Sequence, residues 1–130
     1  MKSVLIGKYN MAWDNKKPTA QMLGRWQPWH NGHQKLFEKI LEKTGQVLIM
    51  VRDVQGVDDN PFDFDTVKQN IESALKDYIG KFKIVLVPNI TNICYGRGVG
   101  YKIEEIILDA ETQKISATEI RKNMRRSGEL

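Results

Sequence analysis

The chain has 130 residues, of which 41% are hydrophobic and 28% charged, and it carries a formal net charge of +4. This suits one compact domain over 1–130 with a core that needs no disulfide staples, and it excludes a disordered polar chain. No apolar run approaches the ~20 residues that a membrane-spanning helix requires, so no membrane partner is expected.

The opening stretch from Met1 to Gly7 is too short for a signal-peptide core and no cleavage site follows it. Val4 to Tyr9 reads as a short strand, and Asp14-Asn15-Lys16-Lys17-Pro18 as a turn or surface loop. Thr19 to Leu23 forms a second strand leading into Gly24. After Asn31-Gly32, the apolar residues Leu36, Phe37, Ile40 and Leu41 recur at helical spacing, with Glu and Lys opposite them. Gln46 to Val51 and Phe82 to Val87 are continuous apolar runs rich in β-branched residues, the pattern of strands buried on both faces.

Between those two strands, Val67, Ile71, Ala74, Leu75 and Tyr78 mark a helix from about Thr66, with Asp65 as the expected N-cap. Ser116-Ala117-Thr118-Glu119 has the spacing of a capping box that opens a helix through Ile120 and Met124. Strands alternating with helices predict βαβ units. The expected fold is a single α/β, Rossmann-like, doubly wound parallel sheet with flanking helices.

The single cysteine, Cys94, has apolar and aromatic neighbours and is expected to be a buried small side chain. Having no partner for a disulfide, it fits a reducing, cytoplasmic setting. The cationic excess suits a polyphosphate, and would also suit nucleic acid. Part of that excess lies in Arg121-Lys122 and Arg125-Arg126, where a solvated helix end explains it as well.

The segment Gly24-Arg25-Trp26-Gln27-Pro28-Trp29-His30-Asn31-Gly32-His33 falls where a strand ends and a helix begins. In open α/β sheets, ligands bind beyond the carboxyl ends of the strands. Two imidazoles three residues apart offer N–H donors there, and the helix from Gln34 adds its N-terminal amides and dipole. A metal site on these histidines lacks a recognisable set of further ligands, so no protein metal ligands are expected.

This segment resembles the His-x-Gly-His signature of the nucleotidylyltransferase superfamily. Its flanks are most similar to the Gly-Arg-Phe-Gln-Pro-x-His-x-Gly-His form of archaeal-type nicotinamide-nucleotide adenylyltransferases. Ile115-Ser116-Ala117-Thr118-Glu119-Ile120-Arg121 is similar to the Ile-Ser-x-Thr-x-Ile-Arg element of the same superfamily, with Ala117 in place of the common Ser. Asn60-Pro61-Phe62 resembles the Asn-Pro-Phe-Thr segment of the adenylyltransferases, and Val87-Pro88-Asn89-Ile90 their segment after a central strand.

The resemblance implies transfer of a nucleoside monophosphate, AMP from ATP, to a phosphate-bearing small-molecule acceptor with release of pyrophosphate. It implies His30, His33 and Arg121 as catalytic residues. It implies Gly24, Arg25, Trp26, Gln27, Gly32, Ser116, Ala117 and Thr118 as the nucleotide-binding set. Magnesium (Mg2+) would be the cofactor, held mainly through the triphosphate. The partners are then ATP or CTP and the acceptor, with a homo-oligomer left open. The rival readings are a cytidylyltransferase acting on a polyol or sugar phosphate, and a non-catalytic module that binds nucleotide or nucleic acid.

Gly96-Arg97-Gly98-Val99-Gly100 matches neither the dinucleotide fingerprint nor the P-loop, and reads as a glycine-rich turn. Asp58, Asp59, Asp63 and Asp65 lack calcium-loop spacing and read as a solvated loop. Trp26 and Trp29 are expected to pack around the histidine segment.

Overall fold

The computed structural model describes residues 13–56, 59–98 and 100–130. The strand expected at Val4 to Tyr9 lies outside the described residues. Three strands, β1 (Ala20–Gly24), β2 (Val47–Arg52) and β3 (Phe82–Val87), form a parallel sheet in the order β1-β2-β3. Helix α1 (Asn31–Thr44) connects β1 to β2, and α2 (Phe64–Ala74) with a short 3-10 turn connects β2 to β3. The α/β Rossmann-like class expected from the sequence is the class these residues form.

The continuous apolar runs suggest burial on both faces, but burial alternates along β2 and no residue of β3 is fully buried. Val47, Ile49 and Val51 are fully buried, while Leu48, Met50 and Arg52 between them are only partly covered. The first set shares one core with Phe37 and Ile40 of α1 and with Val67 and Ile71 of α2. Both helices therefore cover the same sheet face, as right-handed crossovers between successive neighbouring strands require. Fully burying one such side chain contributes about 1.5–3 kcal/mol, so this cluster carries much of the fold's stability.

Helix α1 stops at Gly45, whose φ of 82° is left-handed and whose N–H donates to the Leu41 carbonyl. At α2 the structure corrects the cap. Asp63, not Asp65, is the N-cap and accepts from the Thr66 N–H at 2.9 Å. Asp65 sits in the first turn, where its charge still favours the helix dipole. At the N-terminal edge of the sheet, buried Gln46 donates to the Asp14 carbonyl and to the Thr19 hydroxyl, fixing the 14–18 turn beneath β2.

Between Ile90 and Leu108 the described residues form no helix or strand. Cys94 lies in this stretch and is exposed, contrary to the buried position expected from its neighbours. Local apolar composition buries a side chain only where an element carries it into a core, and none does so here. The short helix α3 (Ala110–Gln113) and then α4 (Ala117–Ser127) close the chain. Among the described residues no helix is long and apolar enough to cross a membrane.

Candidate functional site

The loop from Gly24 to His30 emerges from the carboxyl end of β1 and turns into α1. Trp26 takes a φ of 56°, unusual for a bulky residue and a local cost on the order of 1 kcal/mol. The tryptophan is held there by burial and by its indole N–H, which donates to the Met50 carbonyl of β2 at 3.1 Å. Gly24 is required beneath it, since a Cβ at that position would lie 2.7 Å from the Trp26 ring.

The two histidines cap the start of α1, His30 just before it and His33 at its third position. His30 is the N-cap of α1, and its Nδ1 accepts from the Gly32 N–H at 3.0 Å. His33 Nδ1 in turn accepts from the His30 N–H at 3.2 Å. The pair thus does the work of a capping box, with imidazoles where Ser and Glu would ordinarily stand. Their rings stack at 3.7 Å with 19° between planes. Gly32 permits this, because a Cβ there would meet His30 Cε1 at 2.8 Å.

With both Nδ1 atoms accepting, the hydrogen-bond pattern assigns the ring proton to Nε2 in each histidine. Neither Nε2 has a partner among the described residues, and neither is sealed from solvent. Burial lowers the pKa of His30. For His33 burial first, and the neighbouring His30 charge second, push the pKa down to about 3. Trp26 meets the His33 ring edge-on at 4.7 Å and Trp29 lies at 5.5 Å, which supplies that burial. The site therefore holds two neutral imidazole donors at a helix N-terminus.

Three further segments are fastened to this loop. The Gln27 side chain donates to the Phe62 carbonyl and accepts from the Phe62 N–H, both at 2.9 Å. Arg25 donates to Asn60 Oδ1 at 3.3 Å. These bonds place Asn60-Pro61-Phe62 directly against the histidine loop. From the far end of the chain, Arg121 donates to the Gln27 carbonyl at 2.6 Å and to the Thr118 hydroxyl at 3.4 Å. Arg121 is 3% exposed, and Asp59 Oδ1 lies 3.7 Å from its Nη2.

Ser116 is the N-cap of α4 and accepts from the Glu119 N–H at 3.3 Å. The other half of the expected box is replaced by an ion pair of Glu119 with Lys122. Ala117 and Thr118 form the first turn, with Thr118 exposed.

The structure thus joins the loop residues Gly24, Arg25, Trp26, Gln27, His30, Gly32 and His33 to the start of α4 through Arg121. It gives two of them roles the sequence did not show. Gln27 spends both ends of its amide on Phe62, and Arg121 is buried as a tie between segments. Asp59 beside Arg121 was not singled out from its acidic neighbours, since nothing local distinguishes it. Among the described residues no group of three or more His, Cys, Asp or Glu side chains could hold a metal ion.

Fold and site together define an α/β protein of the Rossmann-like class whose histidine-bearing loop lies at the carboxyl end of a parallel strand. No model of a known protein family matches the chain. Over 73 residues the chain is 30% identical to a nicotinamide-nucleotide adenylyltransferase of Methanococcus aeolicus, a stretch that takes in 55% of this chain and 42% of that relative. The chain therefore spans less than half the length of the curated relative it matches. The likeness supports a nucleotidyltransferase family.

Proposed function

We propose that the protein transfers AMP from ATP to a phosphate-bearing small-molecule acceptor and releases pyrophosphate. The observation that carries this reading is the pair of neutral, unpartnered Nε2–H donors of His30 and His33 at the N-terminus of α1. Neutral imidazoles at a helix N-terminus donate to phosphate oxygens without competing for a proton at pH 7.

In this reaction an acceptor phosphate oxygen forms a bond to the α-phosphorus. The bond from that phosphorus to the bridging oxygen breaks, and pyrophosphate leaves with the electron pair. No bond to the enzyme is needed, so the protein's part is positioning and charge stabilisation. His30 and His33 donate where charge develops between the α- and β-phosphates. The free amides of the first turn of α4, with the Ser116 and Thr118 hydroxyls, receive the departing pyrophosphate. Arg121 holds that helix against the histidine loop and adds positive charge. Exposed Arg25 lies beside the nucleotide, Gly24 and the buried Trp26 and Gln27 support that surface from beneath, and Gly32 admits the ligand to the α1 amides.

The described residues do not form a magnesium cage of their own. Magnesium enters this reading only as the counter-ion of the triphosphate, with no step assigned to it. ATP is preferred to CTP because the relative is an adenylyltransferase, and nicotinamide mononucleotide heads the list of acceptors for the same reason.

The test is pyrophosphate release from each of the four nucleoside triphosphates with magnesium. The acceptor panel holds nicotinamide mononucleotide, phosphopantetheine and polyol and sugar phosphates. Release from ATP that depends on one acceptor is expected. Release from CTP with a polyol or sugar phosphate would replace the adenylyl reading with the cytidylyl one. No binding of any triphosphate would overturn both.

A further inference from the structure

We infer that Arg52, with Asn89 beside it, forms an anion subsite that takes the phosphomonoester of the acceptor, on the opposite side of the sheet's carboxyl edge from the histidines. Arg52 is the last residue of β2, the central strand, and its register partner is Val87 at the end of β3. Its Nη2 donates to Asn89 Oδ1 at 2.8 Å, two residues beyond the end of β3. Its Nε is shielded from solvent and has no hydrogen-bond partner. No carboxylate among the described residues pairs with it, although Asp53 follows it directly in the chain.

A guanidinium with an orphaned, desolvated Nε–H is a standing cost, because nearly all such buried groups find a partner. A tetrahedral oxyanion offers several acceptor oxygens to a planar fork of donors, and removes that cost.

Position then selects which anion. Val47, Ile49 and Val51 face α1 and α2, so the alternation of the strand sends Arg52 to the other face with Leu48 and Met50. The histidines stand on α1, on the first face. A ligand lying across the carboxyl edge meets His30 and His33 on one side and Arg52 on the other. Neighbouring strands are about 4.8 Å apart, so Arg25 after β1, Arg52 on β2 and Asn89 after β3 form a row about 10 Å long. In-line displacement puts the attacking group opposite the leaving group. With pyrophosphate held at the starts of α1 and α4, the acceptor falls on the Arg52 side. The identity of the ester rests on the nucleotidyl-transfer reading, whereas the anion subsite does not.

The test follows the Arg52 Nε–H resonance of the 15N-arginine-labelled protein during titration with inorganic phosphate. ATP binding is read separately from tryptophan fluorescence. The expected result is a saturable shift of the Arg52 signal in the unmodified protein, present also when ATP is already bound. Phosphate affinity should fall about tenfold in Arg52→Gln and less in Arg52→Lys, with ATP affinity unchanged. Should Arg52→Gln fail to fold, the wild-type shift and the lysine variant decide the matter. An unmoved Arg52 signal at saturation, equal phosphate affinity in the variants, or phosphate binding lost once ATP is bound would each overturn the subsite. Phosphate binding at Arg52 in a protein that binds no nucleoside triphosphate would keep the subsite and remove the proposed function.

Discussion

Arg121 in α4 donates from Nη1 to the Gln27 carbonyl at 2.6 Å, joining residues 94 positions apart in the sequence. The donor is charged and both groups are sheltered, so the bond belongs to the stronger class of protein hydrogen bonds. Its ion pair with Asp59 is longer, at 3.7 Å, and that carboxylate is 74% exposed. Arg121→Ala is therefore expected to lower unfolding free energy in urea by about 2–3 kcal/mol, and Asp59→Asn by less than about 1 kcal/mol. Equal effects would show that the ion pair, not the carbonyl bond, holds α4 in place.

The reciprocal bonds of Gln27 with the Phe62 backbone make a separate prediction. Gln27→Ala leaves a backbone donor and acceptor unsatisfied, an expected loss of about 2–3 kcal/mol. Gln27→Glu keeps the acceptor but sets a buried, charged oxygen against the Phe62 carbonyl, so it should lose at least as much. Hydrogen exchange at the Phe62 amide is the direct readout. It should accelerate strongly in both variants, and unchanged exchange in both would refute the clamp.

At Gly32 the added Cβ of alanine would stand 2.8 Å from His30 Cε1. The fold can absorb this by rotating the ring, which breaks the stack with His33. Gly32→Ala should then melt within a few degrees of the parent and lose on the order of 100-fold in turnover, the scale of one misplaced preorganised donor. Full turnover in that variant would mean that the stacked geometry has no part in the reaction.

The half-buried His33 gives the protein an acid limit. Its folded pKa of about 3 lies below the unfolded value of 6.5. Between those values the unfolded chain binds one more proton at this site than the folded one does. The contribution of His33 is thus complete above about pH 6.5 and is lost progressively as the pH falls towards 3. The limiting slope is about 1.4 kcal/mol per pH unit. Urea unfolding from pH 7 to pH 4.5 should show this decline in the parent and a flatter profile in His33→Asn. Parallel profiles would place the acid sensitivity elsewhere.

Much of this architecture was legible in the sequence because it depends on local pattern. Val47, Ile49 and Val51 announce a strand through an unbroken apolar run, and Gly24 to His33 mark the passage from a strand into a helix. Cap choice was harder. Asp63 and Asp65 have the same side chain, and only the backbone geometry at Asp63 decides between them. Cys94 misled because burial is a tertiary property, and its apolar neighbours are not carried into the core. The partners of Gln27 and Arg121 were out of reach for the same reason, since nothing local in the sequence pairs Gln27 with Phe62 or with α4.

The proposed reaction cleaves ATP between its α- and β-phosphates, a reading that the histidine pair supports. The most direct measurement is 31P NMR of ATP, magnesium and nicotinamide mononucleotide with the parent protein and with His33→Ala. Pyrophosphate and a new P–O–P signal are expected in equal amounts, with the rate falling on the order of 100-fold to 1,000-fold in the variant. Orthophosphate as the product, or an undiminished rate in His33→Ala, would contradict that reading.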